Sequence, residues 1–406
     1  MPLLLEKPDV TPATPREALA DFGSIYAANA VVAFLFACTG PVAIILTTGA
    51  RGGLSESDLV SWVFGAFFLN SLFTIALSMV YRQPLVLFWS IPGAVLVGPA
   101  LTHLSFPEVI GAFLAAGVGM LVLGFSGWVR RAMSAVPMPI VMAMVAGVFL
   151  RFGLDLVRAF RDNLWVALPM TAAFVVITLL PRVARVLPPL IGALIVGGFA
   201  VWWLGAFKPP VGALFGIAQP NLYMPAFSWA AMVELVVPLM ITVLAVQNGQ
   251  GVAILTASGH RPPINSITAA CGAGAIITGL VGTVSTCLTG PVNAVISASG
   301  EKQRQYTAAI FVGILGMAFG LLAPFFIRLM LATPPAFIAT LAGLAMLRVL
   351  QTAFTTSFRD HSTLGALVCF LVTVADLPIF NIGAAFWGLV FGLVTTRLLE
   401  REQKPV

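Results

Sequence analysis

Val86-Leu-Phe-Trp-Ser-Ile-Pro-Gly-Ala94 and Gly282-Thr-Val-Ser-Thr-Cys-Leu-Thr-Gly-Pro-Val-Asn293 are the two stretches that decide the fold. In each, a short run of β-forming residues leads to a Ser or Thr, a Pro follows two residues later, and an apolar helical stretch comes next. Ser and Thr are good helix N-caps, and Pro is tolerated in the first helical turn because that position needs no amide partner. Each stretch therefore predicts a short strand followed by a half-helix. The alternative is an ordinary kink in a continuous helix.

The composition indicates that these stretches lie in a lipid bilayer and not in water. Hydrophobic residues make up 59% of the 406-residue chain and charged residues only 9%, whereas soluble domains carry about 25% charged residues. Apolar runs repeatedly approach the roughly 20 residues with which a helix crosses a bilayer. They lack the alternation of apolar and polar residues that membrane β-barrels show. The sequence therefore predicts an all-α, multi-pass membrane protein in which both half-helices begin in mid-membrane.

The chain contains an internal repeat, because weak matches recur in the same order in its two halves. The matched pairs are Leu35–Thr47 with Leu244–Thr256, Ser90-Ile-Pro92 with Thr289-Gly-Pro291, Gly119-Met120 with Gly316-Met317, and Pro139–Gly147 with Pro335–Gly343. We predict about fourteen transmembrane segments in two repeats of seven, with segments 3 and 10 each formed by a short strand and a half-helix. An odd number of segments per repeat makes the second repeat inverted, which is a transporter pattern.

The tail and the loops indicate the topology. Most Lys and Arg residues fall on the side of the N-terminus when seven spans are counted per half, so both termini are predicted to be cytoplasmic. Residues 1–20 contain Pro and charges without the apolar core of a signal peptide, and we expect a disordered cytoplasmic tail there. Residues 206–228, rich in Pro, Gly and Asn, form the expected extracytoplasmic linker between the halves. The prediction is a multi-pass protein of the inner, cytoplasmic membrane.

Two half-helices that begin in mid-membrane create a site for an anion. The first amides of a helix have no intrahelical partner, and the helix dipole adds partial positive charge. Two such starts pointing at one another would attract an anion without Lys or Arg. Such a site suits a monovalent ligand better than a divalent one, because few fixed charges offset desolvation. The candidate substrate-binding residues here are Ser90, Ile91, Pro92, Gly93, Thr286, Thr289, Gly290 and Asn293.

Polar residues also interrupt the first segment of each half. Gln247 and Asn248 lie deep in an apolar run, where amides are costly unless they meet partners or a ligand. Thr39 and Gly40 occupy the matching place in the first half. We predict that these four residues contact the substrate. The alternative for the two amides is hydrogen bonding between helices alone.

Ionisable residues inside the apolar runs are few. Glu234 lies in the first turns of a predicted span and is a candidate for proton coupling, although the nearby Ser228 and Trp229 also fit an interfacial position. Asp376 and His103 are assigned to loops. No Cys or His spacing suggests a metal site, and no cofactor is expected. The HExxH and GxSxG patterns of hydrolases are absent, so an enzyme is not predicted.

The basic residues lie in short loops, so their placement indicates membrane topology and no nucleic-acid partner. An ion channel is a further alternative. Broken half-helices favour a closed binding site over a conducting pore, and the sequence therefore favours a transporter.

Several motifs between about residue 25 and residue 395 carry a resemblance to a known family. Their residues are Tyr81-Arg-Gln-Pro84, Trp89-Ser-Ile-Pro-Gly-Ala94, Gln247-Asn248 with Gly251, Gly259-His-Arg-Pro262 and Gly383-Ala-Ala-Phe-Trp-Gly-Leu389. These motifs resemble the YRxP, WSTPGA, QNxPG…GYxP and GIGSAFWGL patterns of the BenE family of benzoate:proton symporters.

The resemblance implies the fold shared by uracil permeases and sulfate-permease-type anion carriers. Two inverted halves of seven segments form a core domain and a gate domain in that fold, which is often a homodimer through the gate. On this pattern, residues 22–126 and 229–327 form the core, and residues 127–205 and 333–398 form the gate.

The resemblance also implies a substrate. It predicts import of benzoate, or a similar aromatic carboxylate, with a proton, and places Phe88 and Trp89 where they face the aromatic ring. Ile91 stands where the family commonly has Thr, and Gln250-Gly251 stands where it has Pro-Gly. These departures leave open another anion, such as sulfate, bicarbonate or a dicarboxylate. A nucleobase is the remaining alternative, and the absence of two glutamates typical of uracil permeases argues against it.

Overall fold

The structure is a computed structural model, and it describes residues 5–129, 131, 137–184, 187–208, 214–298, 300–359, 361–377, 379 and 384–400. The elements of the first half are α1 (Pro15–Asp21), α2 (Ser24–Cys38), α3 (Gly40–Arg51), α4 (Glu56–Tyr81), β1 (Leu87–Trp89), α5 (Ile91–Ala100), α6 (Phe106–Ser126), α7 (Met138–Asp162), α8 (Leu164–Leu179), α9 (Pro181–Ala184) and α10 (Pro189–Trp203). Those of the second half are α11 (Trp229–Ala257), α12 (Ile264–Gly279), β2 (Thr286–Leu288), α13 (Gly290–Ile296), α14 (Tyr306–Leu321), α15 (Ala323–Leu331), α16 (Pro335–Ser357), α17 (Thr363–Ala375) and α18 (Ala384–Leu399). Residues 1–4 of the expected tail, 209–213 of the expected linker and Gly383 lie outside the described residues.

Long apolar helices confirm a multi-pass membrane protein. Among the described residues, seven helices are long and apolar enough to cross a membrane, namely Ser24–Arg51, Glu56–Tyr81, Phe106–Ser126, Met138–Asp162, Trp229–Ala257, Lys302–Leu321 and Pro335–Ser357. Shorter apolar helices of 10–17 residues, such as α5 and α8, lie between them. The chain is mostly helical, as predicted, whereas the count of fourteen spans stays a prediction.

Both interrupted stretches contain a strand followed by a short helix, as the sequence predicts. β1 leads through Ser90 into α5, and β2 leads through Thr289 into α13. The two strands pair in antiparallel orientation. A kinked continuous helix therefore occurs at neither place, and the two halves of the chain meet at this strand pair.

The helices pack in two sets. The first helix set contains α2–α6 and α11–α14; within it, α6 packs along α12, and α14 lies against α2 and α4. The second helix set contains α7, α8, α10, α16, α17 and α18; within it, α7 packs along α16 and α17, and α17 packs along α18. The sets touch where α3 lies against α16 and α5 lies against α7. The division into core and gate domains stays a prediction.

Much of the N-terminal tail is ordered. α1 begins with a capping box between Thr14 and Glu17, and Glu17 pairs with Arg82 at 2.9 Å. The hydrogen bonds from Thr14, together with Arg82, lower the pKa of Glu17 to about 2. The Glu6 carboxylate accepts a hydrogen bond from the Ser266 amide in the first turn of α12, at 2.9 Å. The expected disorder does not describe this part of the tail, because these polar contacts attach it to the first helix set.

Glycines allow α6 and α12 to approach closely. A Cβ atom on Gly272 would lie 2.6 Å from the Leu121 backbone nitrogen and 2.7 Å from the Gly117 oxygen. One on Gly124 would lie 2.6 Å from the Ala269 nitrogen. Helices in hydrocarbon associate through close packing, and small residues are enriched where their backbones touch. The α6–α12 contact therefore depends on residues without a side chain.

Replacing Gly272 with Ala should destabilise the protein by about 1–3 kcal/mol, because the added methyl group collides with the α6 backbone. Gly198 on α10 is the matched control, since a Cβ atom there meets no heavy atom within 4 Å. Thermal unfolding of both variants in detergent, followed by size-exclusion chromatography, measures the difference. Equal melting temperatures for Gly272→Ala and the wild type would contradict the close contact.

Candidate functional site

The strand pair holds the two half-helices in register. The paired residues are Leu87 with Leu288, Phe88 with Cys287, and Trp89 with Thr286. Two further hydrogen bonds extend the ladder: Ser90 N donates to Ser285 O at 2.9 Å, and Thr289 N donates to Val86 O at 3.0 Å. The residues that precede α5 and α13 are therefore the last rungs of the ladder.

The two helix starts differ in how they are capped. Ser90 Oγ accepts a hydrogen bond from the Gly93 amide at 3.1 Å, which confirms Ser90 as the N-cap of α5. Thr289 occupies the same position before α13, but its hydroxyl donates to Val86 O at 3.0 Å. The prediction that the Thr289 side chain caps α13 is therefore wrong, because its hydroxyl donates a hydrogen bond to the edge of β1.

The helix starts also lie at opposite ends of the ladder. Ser90 is opposite Ser285, which precedes Thr289 by four residues. An extended chain rises about 3.3 Å per residue, so roughly 13 Å of strand separates the two starts. From the sequence we expected two starts pointing at one another. The antiparallel register separates the two starts along the ladder instead.

Two further predicted substrate residues, Asn293 and Thr286, also hydrogen-bond within the protein. Asn293 Oδ1 accepts a hydrogen bond from Val86 N at 3.0 Å, and Asn293 Nδ2 donates to Thr289 O at 2.7 Å. Thr286 Oγ1 donates to Asn70 Oδ1 at 2.7 Å. These side chains satisfy buried polar groups around the strands, and their contact with a ligand stays a prediction.

The neighbouring amides Gln247 and Asn248 have different surroundings. Both belong to a π-helical stretch of α11, Thr242–Asn248, and such stretches are frequent at functional sites. Asn248 Oδ1 accepts a hydrogen bond from Leu288 N at 2.8 Å, so this amide holds β2. Gln247 is 6% exposed, and no described residue hydrogen-bonds to its side chain. The π stretch contacts α5 and α7, so Gln247 lies where the two helix sets meet.

Thr39 and Gly40 form the break between α2 and α3. Thr39 Oγ1 donates to Leu35 O at 2.9 Å, within its own helix. A Cβ atom on Gly40 would collide with Cβ of Ala345 on α16. This glycine therefore allows the close contact between α3 and α16.

The rings of Phe88 and Trp89 point in different directions. Phe88 is buried with its ring centroid 5.2 Å from that of Phe67. Trp89 is also buried. Successive strand residues point to opposite faces. The contact of either ring with a ligand stays a prediction.

A cavity of about 540 Å³ lies between the helix sets, beside α5. Its lining includes Val95 and Pro99 of α5, Gly147 of α7 and Glu234 of α11. Glu234 Oε2 lies 2.9 Å from His103 Nε2, and the Glu234 side chain is 4% exposed whereas that of His103 is 21% exposed. A buried carboxylate beside a more accessible imidazole is suited to exchange of a proton.

Several residues near these features are not predicted from the sequence. Arg51, Arg151 and Asp376 line the cavity, although they are far apart in the chain and share no local pattern. Gln250 lies against the start of α13, where a Cβ atom on Gly290 would be 2.6 Å from Gln250 Oε1. The available signal for Gln250 was its replacement of a family proline.

The chain is similar over nearly its whole length to a known family. The family model of the benzoate membrane transport proteins, BenE, matches residues 21–398. The inner membrane protein YdcO of Escherichia coli (strain K12) is 28% identical over 368 residues, which cover 89% of this chain and 92% of that protein. The benzoate membrane transport protein of Acinetobacter baylyi is 26% identical over 380 residues, which cover 92% and 94% of the two chains.

Solved structures of other transporters share the fold. The transmembrane domain of a cyanobacterium bicarbonate transporter, BicA, matches with a TM-score of 0.63 at 14% identity, over 95% of this chain and 100% of that chain. SLC26A9 matches with a TM-score of 0.67 at 13% identity, over 94% and 66%. Murine Slc26a9, an anion transporter in the inward-facing state, matches with a TM-score of 0.60 at 15% identity, over 97% and 73%. At these identities the likeness establishes the fold alone.

Proposed function

The chain belongs to the BenE family of benzoate membrane transport proteins, and we propose that it imports benzoate, or a similar aromatic carboxylate, together with a proton. It is a membrane transporter and not an enzyme. One observation carries the proposed substrate class: α5, whose start is buried, contacts the π stretch that contains Gln247, and this side chain has no hydrogen-bond partner among the described residues.

The start of α5 supplies hydrogen-bond donors for one carboxylate. The Ile91 amide is in the first helical turn, where the helix offers no acceptor. The Ser90 hydroxyl accepts from Gly93 and keeps its own proton for donation. The helix dipole adds partial positive charge at this point. With Gln247 as a third donor, the site neutralises a single negative charge without Lys or Arg.

The surroundings of this start favour an aromatic monocarboxylate over the alternative anions. Trp89 directly precedes Ser90, and we assign it as the contact for the ring, since Phe88 packs against Phe67. Sulfate and dicarboxylates carry a second charge, and no Lys or Arg occurs between residues 83 and 94 to offset its desolvation.

We assign the proton to Glu234, through its pairing with His103. Glu234 lines the cavity beside α5 and is nearly buried, so its charged form is costly without a partner. Protonation of Glu234 removes this cost when the substrate and the proton cross together. The other charged groups of the same cavity are Arg51, Arg151, Asp155, Arg158 and Asp376.

Transport by alternating access requires two bodies that move against each other. We propose a core of residues 22–126 and 229–327 and a gate of residues 127–205 and 333–398. The packing of α6 on α12 and of α7 on α16 supports this division. We further propose fourteen spans, an inner-membrane location with both termini in the cytoplasm, and a homodimer through the gate.

Proteoliposomes that contain the protein should show saturable uptake of labelled benzoate, faster under an inward proton gradient because a proton enters with each substrate. Other aromatic carboxylates should compete, whereas sulfate, bicarbonate, dicarboxylates and uracil should not. Protein-free liposomes give the baseline for diffusion of the neutral acid. Saturable uptake that ignores the gradient would remove the proton coupling. The absence of saturable uptake would remove the substrate.

Gln247→Ala should reduce benzoate uptake by about tenfold or more, because a buried hydrogen bond to a charged ligand is lost. Gln351→Ala is the matched control, since Gln351 is exposed on α16 and its side chain accepts a hydrogen bond from Arg348, three residues earlier on the same helix. Initial rates are normalised to the reconstituted protein, with the melting temperature as the test of folding. Wild-type uptake by Gln247→Ala would contradict the assignment.

Glu234→Gln should retain saturable benzoate uptake but lose its acceleration by the proton gradient, because the amide does not titrate. Glu56→Gln is the control, as Glu56 forms an exposed ion pair with Arg328 at 2.7 Å outside the cavity. The ratio of uptake with and without the gradient is the measured quantity. A ratio equal to that of the wild type would exclude Glu234 as the proton carrier.

A further inference from the structure

Two arginines share one carboxylate in the cavity. Arg51 Nη2 lies 2.9 Å from Asp376 Oδ2, and Arg151 Nη1 lies 3.6 Å from the same oxygen. The side chains of Arg51, Arg151 and Asp376 are 29%, 49% and 44% exposed. All three line the cavity beside α5, and none belongs to the proposed site at the start of that helix.

We infer that Arg51 and Arg151 form an outer recognition site for the carboxylate of the substrate, and that Asp376 occupies this site in the absence of substrate. The inference rests on the proposed transport of a monocarboxylate. A substrate carboxylate has the same charge and shape as the Asp376 side chain. Guanidinium groups bind carboxylates through parallel N–H donors, so the substrate replaces Asp376 without leaving the arginines unpaired.

The pairing with Asp376 is suited to exchange. Ion pairs at this exposure contribute little to stability, because water competes for both partners. Asp376 ends α17, where the helix dipole disfavours a negative charge. Its φ of 53° lies in the left-handed region. The Asp376 carboxylate therefore does not stabilise α17. It stabilises the side chains of Arg51 and Arg151 instead.

Other charges of the cavity form separate pairs of one basic side chain with one carboxylate. Arg158 pairs at 2.9 Å with Asp155, three residues earlier on α7. Glu234 pairs with His103. Arg51 and Arg151 share the single carboxylate of Asp376, so this cluster keeps one positive charge in excess, and that excess attracts an entering anion.

The pairing also joins the two helix sets. Arg51 is the last residue of α3 in the first helix set, whereas Asp376 follows α17 in the second helix set. A substrate that takes the place of Asp376 breaks this link. Return of Asp376 to the arginines then releases the carboxylate towards α5, so binding in the outer site is transient.

The test compares the KM for benzoate among four variants. Arg51→Gln and Arg151→Gln should each raise KM by about three- to fivefold, the size expected for one half-exposed ion pair. Asp376→Asn should lower KM, because the competing charge is gone, and Asn tolerates the left-handed conformation. Arg158→Gln is the matched control on the same helix as Arg151, with an expected KM equal to that of the wild type.

Two further measurements separate an outer recognition site from a merely structural role. Uptake is measured in intact cells and in inside-out vesicles, and the raised KM should appear only from the face on which the cavity opens. Increasing salt should raise the KM of the wild type towards that of Arg151→Gln, because screening weakens attraction to exposed charges. The KM of Arg151→Gln should change much less.

Each outcome decides the inference. Unchanged KM values in both arginine variants, a raised KM in Asp376→Asn, or equal effects from both faces would overturn it while benzoate transport stands. If the wild type shows no saturable benzoate uptake, the proposed function and this inference fall together. If an arginine variant does not reach the membrane, Asp376→Asn decides, because misfolding does not lower KM.

Discussion

Two short strands that are buried in a membrane protein need a partner for every backbone group, and this requirement constrains the rest of the structure. A two-stranded ladder leaves one edge of each strand open, and hydrocarbon offers no water to satisfy that edge. Side chains close it instead. Thr74 Oγ1 bonds to both the N–H and the C=O of Leu87, and the Asn293 amide bonds to both groups of Val86. Thr74 and Asn293 therefore satisfy the backbone of the strands, and these groups are required by the fold.

This use of polar groups makes the two halves of an internal repeat chemically unequal. The hydroxyl of Thr289 donates its proton to the edge of β1, whereas the hydroxyl of Ser90 caps α5 as an acceptor and keeps its proton available. Asn248 is likewise committed to β2, whereas the adjacent Gln247 has no partner among the described residues. The proposed carboxylate site lies where polar groups remain after the backbone has been satisfied.

The charged groups of the cavity lie off the strands, and three of them, Arg51, Arg151 and Asp376, are partly exposed to water. Full charges at the strand pair would cost more than helix ends and amides, because little there offsets their desolvation. The cavity beside α5 holds the ion pairs instead, among them Arg51 with Asp376 and Glu234 with His103. The proposed transport cycle follows this separation: arginines select an anion near water, and neutral donors hold it at depth.

The sequence by itself determined the membrane-spanning class, the strand and half-helix at Ser90 and at Thr289, and the family. These features depend on hydropathy and on residues a few positions apart, where local physics acts. The tertiary structure decided which polar groups are free, which of Phe88 and Trp89 lies against Phe67, and how far apart the helix starts lie. It also brought Arg51 to Asp376, which is 325 residues away in the chain. Such contacts depend on strand register and on the packing of distant helices, which no local pattern of residues encodes.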